Sequence, residues 1–147
     1  MDYNLVDVLL VEDNIDDAEL AIRELKKHKV GNNLLHLKDG EEALDFIFGT
    51  GKFTGLRNIQ YLPKVILLDI QMPKVNGMEV LEKIKADERT KAIPVVILTS
   101  SNQSPDIKKC YNLGVNSYIV KPVDFENYSK TIRELGLYWL LSNRPPE

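Results

Sequence analysis

The stretch Lys64-Val-Ile-Leu-Leu-Asp-Ile-Gln-Met-Pro73 runs four apolar residues into an acid, Asp69, and closes on a proline. A short continuous apolar run with β-branched members fits a strand covered on both faces, as in a parallel sheet lying under two layers of helix. Taken alone, an acid at the end of such a strand is as readily a turn or capping residue as a chemical group. The other strand ends decide which it is.

Further apolar runs predict strands over Leu5 to Val11, Leu34 to Lys38, Val65 to Asp69, Val95 to Thr99 and Ser117 to Lys121. They alternate with charged segments of helical period, which gives five βα units and an α/β fold with a parallel sheet. In the first helix Ile15, Ala18, Ile22 and Leu25 recur at spacings of three and four, with Ala21 beside them. Asn14 suits its N-cap, Asp16 and Asp17 its first turn, and Lys26, Lys27 and Lys29 its last, all matching the helix dipole. The second helix is expected over Gly40 to Phe48 and the third over Gly77 to Asp87, with Gly77 supplying a permissive turn. The fourth starts at Ser104-Pro105 and stops at Gly114. The fifth spans Phe125 to Ser142, with Phe125, Tyr128, Ile132, Leu135 and Trp139 as its core stripe. Leu137, Tyr138, Leu140 and Leu141 carry apolar character around the rest of that helix, which marks a contact surface. The segment Gly49 to Pro63 holds three glycines, and a connection of that length is usually functional or mobile. Its Phe53, Leu56, Ile59, Tyr61 and Leu62 could instead fold back onto the domain.

A chain of 147 residues fits one domain (1–147, with no output domain expected), and such a domain buries roughly 68–70% of its unfolded surface. With 44% apolar residues, 28% charged residues and a net charge of −3, nothing supplies the basic field that nucleic-acid phosphates need. The apolar runs are too short to cross a bilayer and the start lacks a basic leader, so a cytoplasmic protein without membrane contact is expected. The single cysteine, Cys110, fits a packed helix residue in a reducing compartment. His28 and His36 have no metal-ligand partner at useful spacing.

In an open α/β sheet, ligands sit outside the carboxyl ends of the strands. Here those ends carry Glu12-Asp13, Asp69, Thr99-Ser100 and Lys121-Pro122. Three carboxylates in one crevice repel one another unless a cation intervenes. Mg²⁺ suits them, with Asp13 and Asp69 as direct ligands, Glu12 acting through water and Gln71 offering its backbone carbonyl. Asp69 can then act as a nucleophile toward phosphorus, with the Lys121 ammonium and the Thr99 hydroxyl as donors to the phosphoryl oxygens. Each residue alone has an ordinary reading: Lys121 as a solvated strand-end lysine, Thr99 to Ser101 as a cap, Tyr118 as a strand aromatic.

The combination resembles the receiver domain of two-component response regulators. The matching residues are Leu9-Leu-Val-Glu-Asp13, Leu67-Leu-Asp-Ile-Gln-Met-Pro73, Asn76-Gly77, Leu98-Thr-Ser100 and Tyr118-Ile-Val-Lys-Pro122. The resemblance implies a flavodoxin-like doubly wound sheet of strand order 2-1-3-4-5, with Asp69 accepting phosphate from a histidine kinase. It also implies that Lys121 contacts that phosphate, that Glu12 and Asp13 hold Mg²⁺, and that Thr99 and Tyr118 form a switch pair. That pair would remodel the face of the fourth helix, fifth strand and fifth helix for partner binding or a homodimer. A cis peptide between Lys121 and Pro122 is implied too. Glu12 stands where many relatives carry Asp. The long Gly49 to Pro63 connection and the apolar last helix resemble the small stand-alone regulators that partner with phytochromes. Such a protein is a signalling switch that catalyses only its own phosphorylation and dephosphorylation. The alternative is a metal-dependent phosphohydrolase with an aspartyl nucleophile, which needs an acid two residues after Asp69, where this chain has Gln71. A flavin carrier needs a neutral phosphate loop after the first strand, where this chain has Glu12-Asp13-Asn14-Ile15-Asp16-Asp17.

Overall fold

The computed structural model describes residues 1–28 and 33–144. Lys29, assigned above to the last turn of the first helix, and the tail 145–147 lie outside the described residues. The strands are β1 (Val8–Val11), β2 (Leu34–Leu37), β3 (Val65–Leu68), β4 (Val95–Thr99) and β5 (Ser117–Val120). The helices are α1 (Ile15–Lys27), α2 (Gly40–Phe48), α3 (Gly77–Ala86), α4 (Ser104–Asn112) and α5 (Phe125–Leu137). All strand pairs are parallel and the order is β2-β1-β3-β4-β5. β1 starts at Val8 rather than Leu5, because Tyr3–Leu5 forms a 3-10 turn in which the Asp2 side chain accepts from the Asn4 N–H at 2.9 Å.

Alternate residues of each central strand feed two apolar layers. Leu9, Val11, Ile66, Leu68 and Ile97 pack with Phe46, Leu81, Ile84 and Cys110 of α2, α3 and α4. Val8, Leu10, Leu67, Val96 and Leu98 pack with Ala18, Ala21 and Leu25 of α1 and Tyr128 and Ile132 of α5. Helices therefore cover both faces, and β1, β3 and β4 are buried along their whole length.

Two residues of the expected core stripes are solvent-exposed. Ile15 (68%) and Phe125 (60%) are the first residues of their helices, so they stand at the carboxyl edge of the sheet, and the buried stripes begin one turn later at Ala18 and Tyr128. Glu24 is buried on α1 instead, paired with His28 at 3.1 Å and Arg133 at 3.8 Å. Beyond α5 the chain widens into a π turn over Tyr138–Ser142, closed by the Asn143 N–H to the Tyr138 carbonyl at 2.7 Å. Trp139 and Leu140 pack on the α1/α5 layer while Leu137, Tyr138 and Leu141 remain exposed.

The long Gly49 to Pro63 segment is anchored rather than loose. Phe53 is buried edge-on against Tyr3 and Phe46, with centroids 5.1 and 5.3 Å away. Arg57 donates from Nε to the Phe46 carbonyl at 2.6 Å and lies 4.3 Å from the Phe46 ring centroid. Leu56 and Tyr61 stay exposed.

Gly77 has a role other than the permissive turn expected of it. Its φ is not positive, but a Cβ there would sit 2.2 Å from the Asp69 carbonyl oxygen and 2.6 Å from the Ile70 Cα. With Asn76 capping α3 through the Glu79 N–H at 3.0 Å, the glycine lets the helix start press against the backbone that carries Asp69. Gly77→Ala is expected to cost about 1–3 kcal/mol of stability, read as a lowered midpoint in thermal or chemical denaturation.

Candidate functional site

The site is assembled from strand ends. Parallel register sets Val11 against Leu68, so the following residues, Glu12 and Asp69, emerge side by side. Both are buried, at 3% and 5% exposure, whereas Asp13 faces solvent. The Asp69 N–H donates to the Val11 carbonyl at 3.1 Å, so the acid hangs from the last rung of the sheet. Glu12, Asp13 and Asp69 each offer a carboxylate oxygen, and these oxygens lie within 4.8 Å of one another. Hard oxygen donors in that number and spacing suit a small divalent cation.

Opposite the acids stands Lys121, delivered from the far edge of the sheet by β5, whose Val120 is in register with Thr99. Its ammonium donates to Glu12 Oε1 at 2.5 Å, Asp17 Oδ2 at 3.0 Å and Asp69 Oδ2 at 3.0 Å. The second Asp69 oxygen, Oδ1, accepts from the Thr99 hydroxyl at 2.8 Å and the Gln71 N–H at 2.9 Å. Thr99 is fully buried. The nucleophile candidate is thus fixed by an ammonium, a hydroxyl and a backbone amide, which is the donor set a transferring phosphoryl group needs.

The Lys121 N–H donates to the Thr99 carbonyl at 2.7 Å, and the described residues contain no cis peptide. This corrects the expectation of a cis Lys121–Pro122 bond. The trans form, favoured by about 0.5–1 kcal/mol before proline, already brings the ammonium onto the acids.

Tyr118 is half-buried against the α2/α3/α4 layer, and its hydroxyl donates to the Ser101 carbonyl at 2.8 Å. The Ser101 N–H in turn points to Thr99 Oγ1 at 3.4 Å, so Thr99 and Tyr118 meet through one residue. Ser101 otherwise serves the start of α4, bonding Asp106 Oδ2, and Ser100 bridges to Gln71 Oε1 at 2.8 Å. Cys110 is a packed thiol whose burial pushes its pKa up to about 11.

Two residues join the site that the sequence reading placed elsewhere. Asp17 was assigned to the dipole of α1, an assignment Asp16 satisfies equally well, and nothing local distinguishes the acid that reaches Lys121. His36 falls within the strand predicted over Leu34 to Lys38, where only a metal-ligand role was considered for it and set aside. Its Nε2 lies 2.7 Å from the Glu12 carbonyl, and because a carbonyl only accepts, that nitrogen carries the proton. With the Glu12 N–H bonded to the Leu37 carbonyl at 3.0 Å, β2 grips the Glu12 backbone from both sides.

Burial raises the Glu12 pKa to about 7, against the lowering effect of the Lys121 hydrogen bond and with the help of the Asp69 charge. Burial works against the Lys121 ammonium as well, yet the Glu12 hydrogen bond and the Asp69 and Glu12 charges outweigh it and hold the amine charged above its ordinary range. A carboxyl whose folded pKa lies above its unfolded one favours folding below the unfolded value, and that contribution is lost as pH rises through the folded value. Glu12→Gln, which keeps the neutral form at every pH, is therefore expected to be near-neutral for stability at pH 4.5. It should raise the melting temperature relative to the native protein at pH 8 in chelator. Parallel thermal melts across pH 4.5–8 check this.

Comparison with known proteins gives a consistent picture. Residues 8–133 match the response regulator receiver domain. The probable methanogenesis regulatory protein FilR2 of Methanothrix harundinacea (strain 6Ac) is 42% identical over 142 residues, 95% of this chain and 86% of FilR2. Response regulator Rcp1 of Synechocystis sp. (strain PCC 6803) is 35% identical over 133 residues, 90% of this chain and 88% of Rcp1. The Mn²⁺-bound form of Rcp1 superposes with a TM-score of 0.87 at 34% identity, covering 95% of this chain and 98% of that one. The phosphorylated cyanobacterial phytochrome response regulator RcpA gives a TM-score of 0.87 at 34% identity, covering 95% and 97%.

Proposed function

The chain belongs to the response regulator receiver domain family, and on that ground we propose that Asp69 accepts a phosphoryl group from the phosphohistidine of a sensor kinase. One observation carries the assignment: a buried carboxylate at a strand end, held by Lys121, Thr99 and the Gln71 amide beside two further acids. An Asp69 oxygen attacks phosphorus, the P–N bond breaks, its electron pair stays on the imidazole nitrogen, and an aspartyl phosphate forms. No general base is required, because an ionised carboxylate already attacks. Lys121 and Thr99 donate to the phosphoryl oxygens as negative charge spreads over them.

Glu12, Asp13 and Asp69 would hold Mg²⁺, and the Gln71 carbonyl, which accepts no hydrogen bond among the described residues, is free to join them. When bound, that ion neutralises the acid cluster and the incoming phosphoryl charge. The Mn²⁺-bound Rcp1 structure supports a divalent site of this kind. The protein acts on itself alone. Gln71 cannot serve as the acid/base of a phosphohydrolase, and its side chain is engaged with Ser100.

Phosphorylation biases the Thr99/Tyr118 pair and with it the α4–β5–α5 face, where Val120, Val123 and Phe125 are exposed. A second copy of the chain is the partner we assign to that face. The protein acts in the cytoplasm with a sensor histidine kinase as its donor, and the likeness to RcpA supports a phytochrome in that role, although FilR2, at higher identity, is named for methanogenesis. No helix among the described residues is long and apolar enough to cross a membrane.

Intact mass after incubation with acetyl phosphate tests the chemistry. The native protein is expected to gain one phosphoryl group only with Mg²⁺ present, Asp69→Asn none, and Lys121→Ala the same group at a rate lower by roughly 10²-fold. Uptake by Asp69→Asn equal to that of the native protein would sink the assignment. Size-exclusion chromatography of the same samples reads the dimer.

A further inference from the structure

The Lys121 ammonium has three N–H bonds and no acceptor of its own. In this structure each points to a different carboxylate: Glu12, Asp17 and Asp69. Glu12 and Asp69 belong to the acid cluster suited to a cation, whereas Asp17 stands outside it. Asp17 is therefore the one acceptor whose side chain has no other task at the site.

Asp17 is itself held at three points. Its N–H donates to the Asn14 cap at 3.0 Å, its carbonyl accepts from the buried Tyr128 hydroxyl at 3.1 Å, and its Oδ2 takes the lysine. The start of α1 thus meets the end of β5 and the first turn of α5, both more than 100 residues further along the chain, on this residue. A lysine is a compact charge on a flexible four-carbon stem, and a donor to a transition state works only when it is held where charge develops.

We propose that Asp17 is a positioning residue that holds the Lys121 ammonium at the edge of the crevice for the phosphoryl group, and that Tyr128 fixes Asp17 from α5. The assignment rests on the phosphoacceptor role of Asp69 given above. As a phosphoryl oxygen takes one N–H from Lys121, Asp17 keeps the ammonium anchored on the α1 side. Without it the amine is left to the acid cluster alone, where it competes with the cation for the same oxygens. A link also runs by hydrogen bonds from Asp69 through Lys121 and Asp17 to α5.

The control lies next door in sequence. Asp16 is exposed in the same first turn, so Asp16→Ala loses the same favourable interaction with the helix dipole without touching Lys121. Two measurements decide the matter, with Asp17→Asn used alongside Asp17→Ala because it fits the same space should the smaller residue unfold the protein. The first is NMR of the Lys121 ε-ammonium in the unphosphorylated protein. Proton exchange should speed up several-fold in Asp17→Ala, less in Tyr128→Phe, and not in Asp16→Ala. The second is the rate of phosphorylation by acetyl phosphate with Mg²⁺. Asp17→Ala should lower the saturating rate about tenfold with the half-saturating donor concentration unchanged, and should have no further effect in a Lys121→Ala background. An unchanged ammonium signal in Asp17→Ala overturns the assignment, as does an Asp17 effect that persists in full without Lys121. A native protein that takes up no phosphoryl group removes the reading beneath it. Native uptake matched by Asp17→Ala in rate overturns the positioning role alone.

Discussion

Like charge forced into one crevice is the constraint around which this molecule is arranged. Glu12, Asp13 and Asp69 are brought within 4.8 Å of one another by a parallel register that sets Val11 against Leu68 and Leu68 against Ile97. Because side chains alternate across a sheet, a slip of one residue would turn these positions to the other face and scatter the site. The apolar layers on both sides make that slip costly. The same burial that fixes the register also raises the energy of the charged acids, and Lys121 answers it from β5. The core and the site are thus one construction.

The rest of the crevice follows from what that arrangement requires. A carboxyl group at the end of a buried strand needs donors for its oxygens, and Thr99, the Gln71 amide and Lys121 supply them to Asp69. Gly77 leaves room for α3 to approach the Asp69 backbone, and His36 fixes the Glu12 carbonyl from β2. Thr99 and His36 lie on strands, Gly77 opens a helix and Lys121 directly follows β5, and rigid elements of this kind are how a site holds its geometry. The long Gly49 to Pro63 segment is pinned away from this chemistry by Phe53 and Arg57 against Tyr3 and Phe46.

Much of this was legible beforehand. Five apolar runs alternating with amphipathic segments gave the fold, because strand and helix periods are local properties, and the ends of those runs gave Glu12, Asp13, Asp69, Thr99 and Lys121. The errors are of one kind. Ile15 and Phe125 fit the helical period but lie beyond the edge of the sheet, and where the sheet stops is not a property of the helix. Gly77 was expected to serve its own backbone torsions, whereas a neighbouring strand end sets the demand. The Lys121–Pro122 bond was expected cis, and the trans chain reaches the acids without it.

The sequence by itself determined where the strands and helices lie and which residue types stand at the strand ends, since both follow from patterns a few residues long. Only the tertiary structure decided which acid meets which donor. Asp16 and Asp17 are the same residue type in the same turn, and a first-turn dipole accepts either. One of them reaches an ammonium 104 residues away, because the pitch of α1 and the parallel placement of β5 at the sheet edge put that oxygen, and not its neighbour's, within hydrogen-bond range.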